Sequence, residues 1–181
     1  MSNENPSIHD TGALFQIAEP EEKRARERRP GFGIGIDLGT THSLVALAPQ
    51  GAAPRILADA EDRPLLPSVV SYVGDEVVVG YDAMDAREEH PAEVISSVKR
   101  FMGRGLADVD FHHPYHLADD GEGGVLRIDV GGVGGVGRER RVTPVEVSAE
   151  ILKVLRLRAE AELGGPIDGA VITVPAYFDD A

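Results

Sequence analysis

The chain contains no cysteine. That excludes disulfide bridges, thiolate zinc sites, thiol nucleophiles and cysteine-ligated iron–sulfur clusters within its 181 residues. No uninterrupted apolar run approaches the roughly 18–20 residues that a membrane-spanning helix needs. The opening MSNENPSIHD has neither a positive flank nor an apolar stretch, so no secretory signal is expected and the cytoplasm is. Positive charge is scarce: 18 Lys and Arg stand against 31 Asp and Glu, a net charge of −13. A nucleic-acid binder needs a basic face. The one basic run, KRARERR at 23–29, is interrupted by Glu27 and preceded by EPEEK, and reads as a solvated tail. Neither nucleic acid nor membrane is an expected partner. Two nucleotide signatures are also missing. There is no G-x-x-x-x-G-K-[ST], and GFGIGI places its glycines at 31, 33 and 35 with no helix behind them.

What is present is a normal globular interior, 42% hydrophobic, enough for one ordinary domain or two small ones. Residues 1–30 read as a flexible tail whose only apolar patch is ALFQIAEP at 13–20. From Phe32 the texture changes. FGIGIDL and HSLVALA read as two strands of an antiparallel hairpin joined by GTT, and PRILAD at 54–59 as a third strand. EDRPLLP breaks the pattern with two prolines. SVVSYV and EVVVG read as a second hairpin with Gly74-Asp75 as a two-residue turn. Helical texture begins near Tyr81 and must end before Pro91. AEVISSVKRFMG reads as another short helix, stopped by Gly103. The stretch 107–124 reads as loop. VLRIDV and RERRVT read as strands around the flexible GGVGGVG at 131–137. In TPVEVSAEILKVLRLRAEAELGG, Thr143 and Glu146 form a capping box and Pro144 suits the first helical position. Val147, Ile151, Leu155, Ala159 and Leu163 recur every four residues as an apolar face. A buried strand, AVITVPA, follows. The order describes a mixed α/β protein, in which the prolines near 64–67 and the capping box bracket an inserted lobe.

The chemistry concentrates in DLGTT. Asp37 ends the first strand. Gly39 lets backbone approach a ligand closely. Thr40 and Thr41 offer hydroxyls and N–H groups together, as a phosphate cradle does. An aspartate beside such a cradle holds magnesium directly or through its waters. The same residues read equally well as a hairpin with an Asx-type turn. His112, His113 and His116 are broken by Pro114, carry no acid at zinc-like spacing, and read as a solvated loop. Lys99, one of only three lysines, sits on a short apolar segment, where lysines commonly snorkel to solvent.

Taken in order, GIDLGTTHSLVA, RPLLPSVVSY, VGYDA, ISSVKRFMGR and GAVITVPAYFDDA resemble the start of the ATPase domain of the seventy-kilodalton heat-shock, DnaK-like chaperones. RPLLPSVV, ISSVKRFMGRGLAD and LFQIAEP resemble the iron–sulfur-assembly branch, HscA, in particular. The resemblance runs from about residue 13 to the end and weakens at 106–142. It implies an actin-like ATPase of the ribonuclease-H-like fold, with an incomplete first lobe. Residues 31–66 and 144–181 would form its base subdomain and 67–143 an inserted upper subdomain. It implies ATP and Mg2+ as cofactors. Gly39, Thr40, Thr41 and His42 would cradle phosphate, Asp37 would lie beside magnesium, Lys99 would be catalytic at the γ-phosphate, and Pro175 would act in an interdomain switch. Implied partners are a J-domain co-chaperone and the iron–sulfur scaffold as client.

This sequence departs from the family pattern in two ways. His42 replaces the branch's usual asparagine; a histidine titrates near neutral pH, so nucleotide affinity is expected to vary between pH 6 and 8. The chain also reads as an N-terminal piece, lacking the second phosphate hairpin, the adenosine pocket and the peptide-binding domain. It is therefore expected to bind ATP weakly or not at all and not to turn it over. An actin-like sugar kinase leaves LLPSVV, SVKR and VITVPAYF unexplained. A nucleotide-binding filament protein would lack the VKR lysine.

Overall fold

Strand β1 (Gly33–Asp37) and strand β2 (His42–Leu47) form the expected antiparallel hairpin, with Ile36 opposite Val45 and Asp37 opposite Leu44. Period-two alternation buries Ile34 and Ile36 on one strand and Ser43, Val45 and Leu47 on the other. The computed structural model describes residues 33–49, 51–119, 121, 124–130 and 139–174. These lie in one unit, Gly31–Ala181. The expected tail at 1–30 and the GGVGGVG connection fall outside the described residues.

Two short strands join the hairpin on the β2 side: β3 (Arg55–Ile56) pairs with its end and β4 (Leu66–Pro67) with its start, His42 opposite Pro67. Beyond the first inserted segments, β5 (Val69–Ser71) lies between β6 (Val78–Val79) and β7 (Val94–Ser96) in a three-stranded sheet. Helix α1 (Tyr81–Asp85) fills the β6–β7 connection. A third sheet follows the order β10 (Arg140–Val142), β9 (Leu126–Val130), β8 (His116–Asp119), all antiparallel. Helix α2 (Pro144–Leu163) then crosses back, and β11 (Gly169–Thr173) pairs parallel to β1, Asp37 opposite Thr173. Parallel neighbours require such a long crossover. The result is an α/β architecture with one mixed sheet.

Helix α2 is the element most directly dictated by sequence. Thr143 Oγ1 accepts from the Glu146 N–H at 3.1 Å and the Glu146 carboxylate accepts from the Thr143 N–H at 2.7 Å. Gly164 ends it in the left-handed conformation, φ 67°. Val147, Ile151, Leu155 and Ala159 are all fully buried and join Ile34, Ile36, Val45 and Leu47 in one core.

Four expectations are corrected. Residues 92–103 are not one helix: Val94–Ser96 is strand β7, Ser97 is left-handed at φ 56°, and Val98–Phe101 is a single 3-10 turn. Val94, Ile95, Val98 and Phe101 fit helical spacing, but a β-branched pair also suits a strand, and the open edge of β5 captures it, Val70 opposite Ile95. The loop reading of 107–124 misses a 3-10 turn at Leu106–Asp108 and strand β8, which is held by β9 rather than by its own propensity. The β5–β6 hairpin exists, but its strands separate before Gly74-Asp75, with Ser71 opposite Val78, so the connection is longer than two residues. Finally, β11 is exposed, not buried: Val171 retains 77% of its surface. It lies at the end of its sheet, while α2 covers β1 and β2.

Candidate functional site

The bend between β1 and β2 is closed too tightly for any side chain at its second residue: a Cβ built on Gly39 would collide with the carbonyl oxygen of His42. Its anchor comes from the chain just past β4. Ser68 donates from its hydroxyl to the Gly39 carbonyl at 2.9 Å and from its N–H to the Thr41 carbonyl at 2.9 Å. Its Oγ also lies 2.9 Å from that of Ser43, and both serines are buried at 1% exposure. Buried hydroxyls must be hydrogen-bonded, and these two satisfy each other while fixing the bend. The anchoring is accepted by carbonyl oxygens. Thr40, Thr41 and His42 stay exposed at the tip.

Asp37 is not consumed by a local Asx turn. Its Oδ1 accepts from Thr173 Oγ1 at 2.6 Å, across the parallel β1–β11 pair, and the residue is exposed. Sequence, through the shared bend, and topology, through β11, therefore place a carboxylate and the exposed polar residues Thr40, Thr41 and His42 at one end of the mixed sheet. That set suits a phosphate group and a hydrated divalent cation: donors for the anion, an oxygen ligand for the hard cation.

The segment leading into this anchor is itself clamped. Arg158 of α2, 10% exposed, donates to the carbonyls of Leu57 (3.3 Å) and Arg63 (3.4 Å) and lies 3.8 Å from Asp59 Oδ2. Asp59 also accepts from the Arg63 N–H (2.8 Å) and Nε (2.8 Å). Partial burial pushes the Asp59 carboxyl up, but the backbone and side-chain bonds from Arg63 outweigh this and hold it below its ordinary value.

The structure brings Asp37, Gly39, Thr40, Thr41 and His42 together in one bend. Lys99 stands on a separate element, half-buried between the core residues Val98 and Phe101 on the 3-10 turn that packs against α2. Pro175 lies outside the described residues. Among the histidines, His112 and His116 are exposed, as a solvated reading expects, but His116 opens β8 rather than lying in a loop, and His113 is half-buried among aromatic rings. No three His, Asp or Glu side chains converge on a metal-sized site among the described residues.

Sequence reading missed Ser43, Ser68 and Thr173. The signal for the serines was available: Ser43 falls on the buried parity of β2 with Val45 and Leu47, and Ser68 is a polar residue inside the apolar run LLPSVV. A hydroxyl on a core face needs a partner. Thr173 carries no local signal, because its partner is 136 residues away.

A family profile described as Hsp70 protein matches residues 33–181. A "Chaperone protein HscA homolog" of Methylococcus capsulatus is 52% identical over 171 residues, covering 93% of this chain and 26% of that relative. A protein of the same description from Aromatoleum aromaticum is 52% identical over 172 residues, with the same 93% and 26% coverage. "Chaperone protein HscA" of Proteus mirabilis is 47% identical over 172 residues, again 93% and 26%. The chain thus spans about a quarter of the length of these curated relatives.

Proposed function

The chain belongs to the Hsp70 family, and on that premise we propose that it supplies the phosphate-binding part of an ATP-driven chaperone of the HscA type, working in iron–sulfur cluster assembly in the cytoplasm. The observation that carries the reading is the bend at Gly39, closed too tightly for a Cβ and pinned by Ser68, with Thr40, Thr41 and His42 exposed at its tip. The fold is read as actin-like. Strand pairing supports a base subdomain of 31–66 and 144–181, whose strands share one sheet, and an upper subdomain of 67–143, whose strands form two others.

Bound Mg-ATP would supply the transferable phosphoryl group and most of the neutralising charge. The residues of this chain would do the positioning, which is most of what phosphoryl transfer asks of a protein. The N–H and hydroxyl groups of Gly39–His42 would hold phosphate oxygens. Asp37, kept in place by Thr173, would hold magnesium through its waters. Lys99 is assigned the positive charge at the terminal phosphate, and Pro175 the relay to a peptide-binding domain, where nucleotide state sets client affinity through a coupling free energy. A J-domain co-chaperone and an iron–sulfur scaffold client are the proposed partners.

Calorimetric titration of the purified chain with Mg-ATP, beside Thr40→Ala, tests this reading. Weak binding, reduced by about tenfold in the variant and without turnover, is expected. Affinity unchanged in Thr40→Ala would count against the bend as a phosphate cradle; no binding by a chain that circular dichroism shows to be folded would mean that the bend needs the rest of the site.

A further inference from the structure

A second concavity, sharing no residue with the 37–42 bend, opens between the connection that follows α1, the end of β7 with its 3-10 turn, and residues 111–115. Its volume is about 320 Å³, the lower end of the range for small-molecule sites. In a chain of net charge −13, its walls carry Arg87, Arg100, His112 and His113 and, among the described residues, no Asp or Glu. No carboxylate pairs with either guanidinium among the described residues. A cationic hollow in an acidic chain, its arginines not neutralised by acidic side chains, is an anion site by charge.

The apolar wall is equally specific. Phe101, Phe111, His113 and Tyr115 form a ring cluster, with Phe101 and Phe111 centroids 5.0 Å apart and His113 stacked on Tyr115 at 5.8 Å and 16°. Arg100 lies over the Phe111 ring, 4.0 Å from its centroid, which holds the guanidinium against the wall. The Tyr115 hydroxyl accepts from the Ser96 N–H at 2.8 Å and lies 3.2 Å from the Ser96 carbonyl, locking the 111–115 segment to β7. His113 Nδ1 accepts from the Tyr115 N–H at 3.3 Å, so the neutral ring carries its proton on Nε2 and has a donor to offer. The wall is therefore built in advance of any ligand, which lowers the cost of binding.

We propose that this cleft binds a small anion bearing a flat ring, its charge met by Arg87 and Arg100 and its ring packed against the aromatic cluster. The probe is phenyl phosphate, titrated into the full 181-residue chain and followed by amide NMR shifts. Inorganic phosphate and benzyl alcohol serve as single-feature controls. Saturable shifts at Ser96, Ser97, His113 and Tyr115 are expected, with affinity at least about tenfold above either control and lowered about tenfold by Arg100→Gln. Arg87→Gln, at an exposed residue, is the second variant and is expected to weaken binding with the spectrum otherwise intact. Thr40→Ala is expected to leave it unchanged. Shifts confined to residues 37–42 and abolished by Thr40→Ala would overturn the proposal, as would inorganic phosphate binding as tightly as the aryl ester, or no saturable shift at the cleft.

Discussion

Gly39 is the residue on which the bend depends. Gly35, four residues earlier and inside β1, meets nothing within 4 Å of a built Cβ, whereas at Gly39 the His42 carbonyl occupies that space. The two glycines therefore predict opposite outcomes. Gly39→Ala must push the bend open, at a cost of about 1–3 kcal/mol by the usual penalty for overpacking, and should also lose phosphate binding. Gly35→Ala should be neutral or stabilise by up to about 1 kcal/mol, because it restricts the unfolded chain. Thermal unfolding of the pair checks both signs; equal melting temperatures would show that the bend relaxes freely. Ser68 acts at the same scale. Its hydroxyl and N–H hold the carbonyls of Gly39 and Thr41, on either side of Thr40, so a residue outside DLGTT decides the shape of that bend.

At the scale of elements, α2 and the clamp before β4 are held by carboxylates. The Thr143 backbone bond, followed by the bond from its hydroxyl, holds Glu146 below its ordinary value of 4.5 despite partial burial. Asp59 is also held below its ordinary 3.8, the Arg63 bonds outweighing its burial. A carboxylate lowered in the folded state stabilises fully above its unfolded pKa, and that contribution is lost as pH falls through the folded value. Urea unfolding should therefore show stability level above about pH 5 and declining below about pH 4.5. Thr143→Ala should cost about 1 kcal/mol at neutral pH and make the decline shallower. A decline of unchanged steepness would remove the capping box from the pH response. The 92–103 segment makes a contrasting point. Its spacing suits a helix, but the edge of β5 takes Val94–Ser96 as a strand, leaving a single turn to carry Lys99.

For the whole molecule, the exposed edge matters most. No helix among the described residues is long and apolar enough to cross a membrane. Yet Val171, Ile172 and Val174 on and just past β11 are 77%, 38% and 60% exposed. An apolar strand at the end of a sheet is a template for pairing. The isolated chain should therefore self-associate as concentration rises, and Val171→Lys should shift sedimentation toward monomer. A wild-type chain that stays monomeric at high concentration would show that this edge is protected.

Local order alone determined much of this protein. The β1–β2 hairpin, the capped α2 helix and its buried stripe are legible because period-two and period-four patterns and cap chemistry act between near neighbours. The DLGTT bend was visible as a candidate for the same reason, though its residues alone left an Asx turn equally open. Tertiary structure decided what depends on distant partners: the β7 strand, β8, the pairing of Asp37 with Thr173, the Ser43–Ser68–Gly39 anchor, and the cationic aromatic cleft. Except for β8, whose partner β9 is the next strand, the deciding contact joins residues well separated along the chain, so no short window of sequence contains both of its halves.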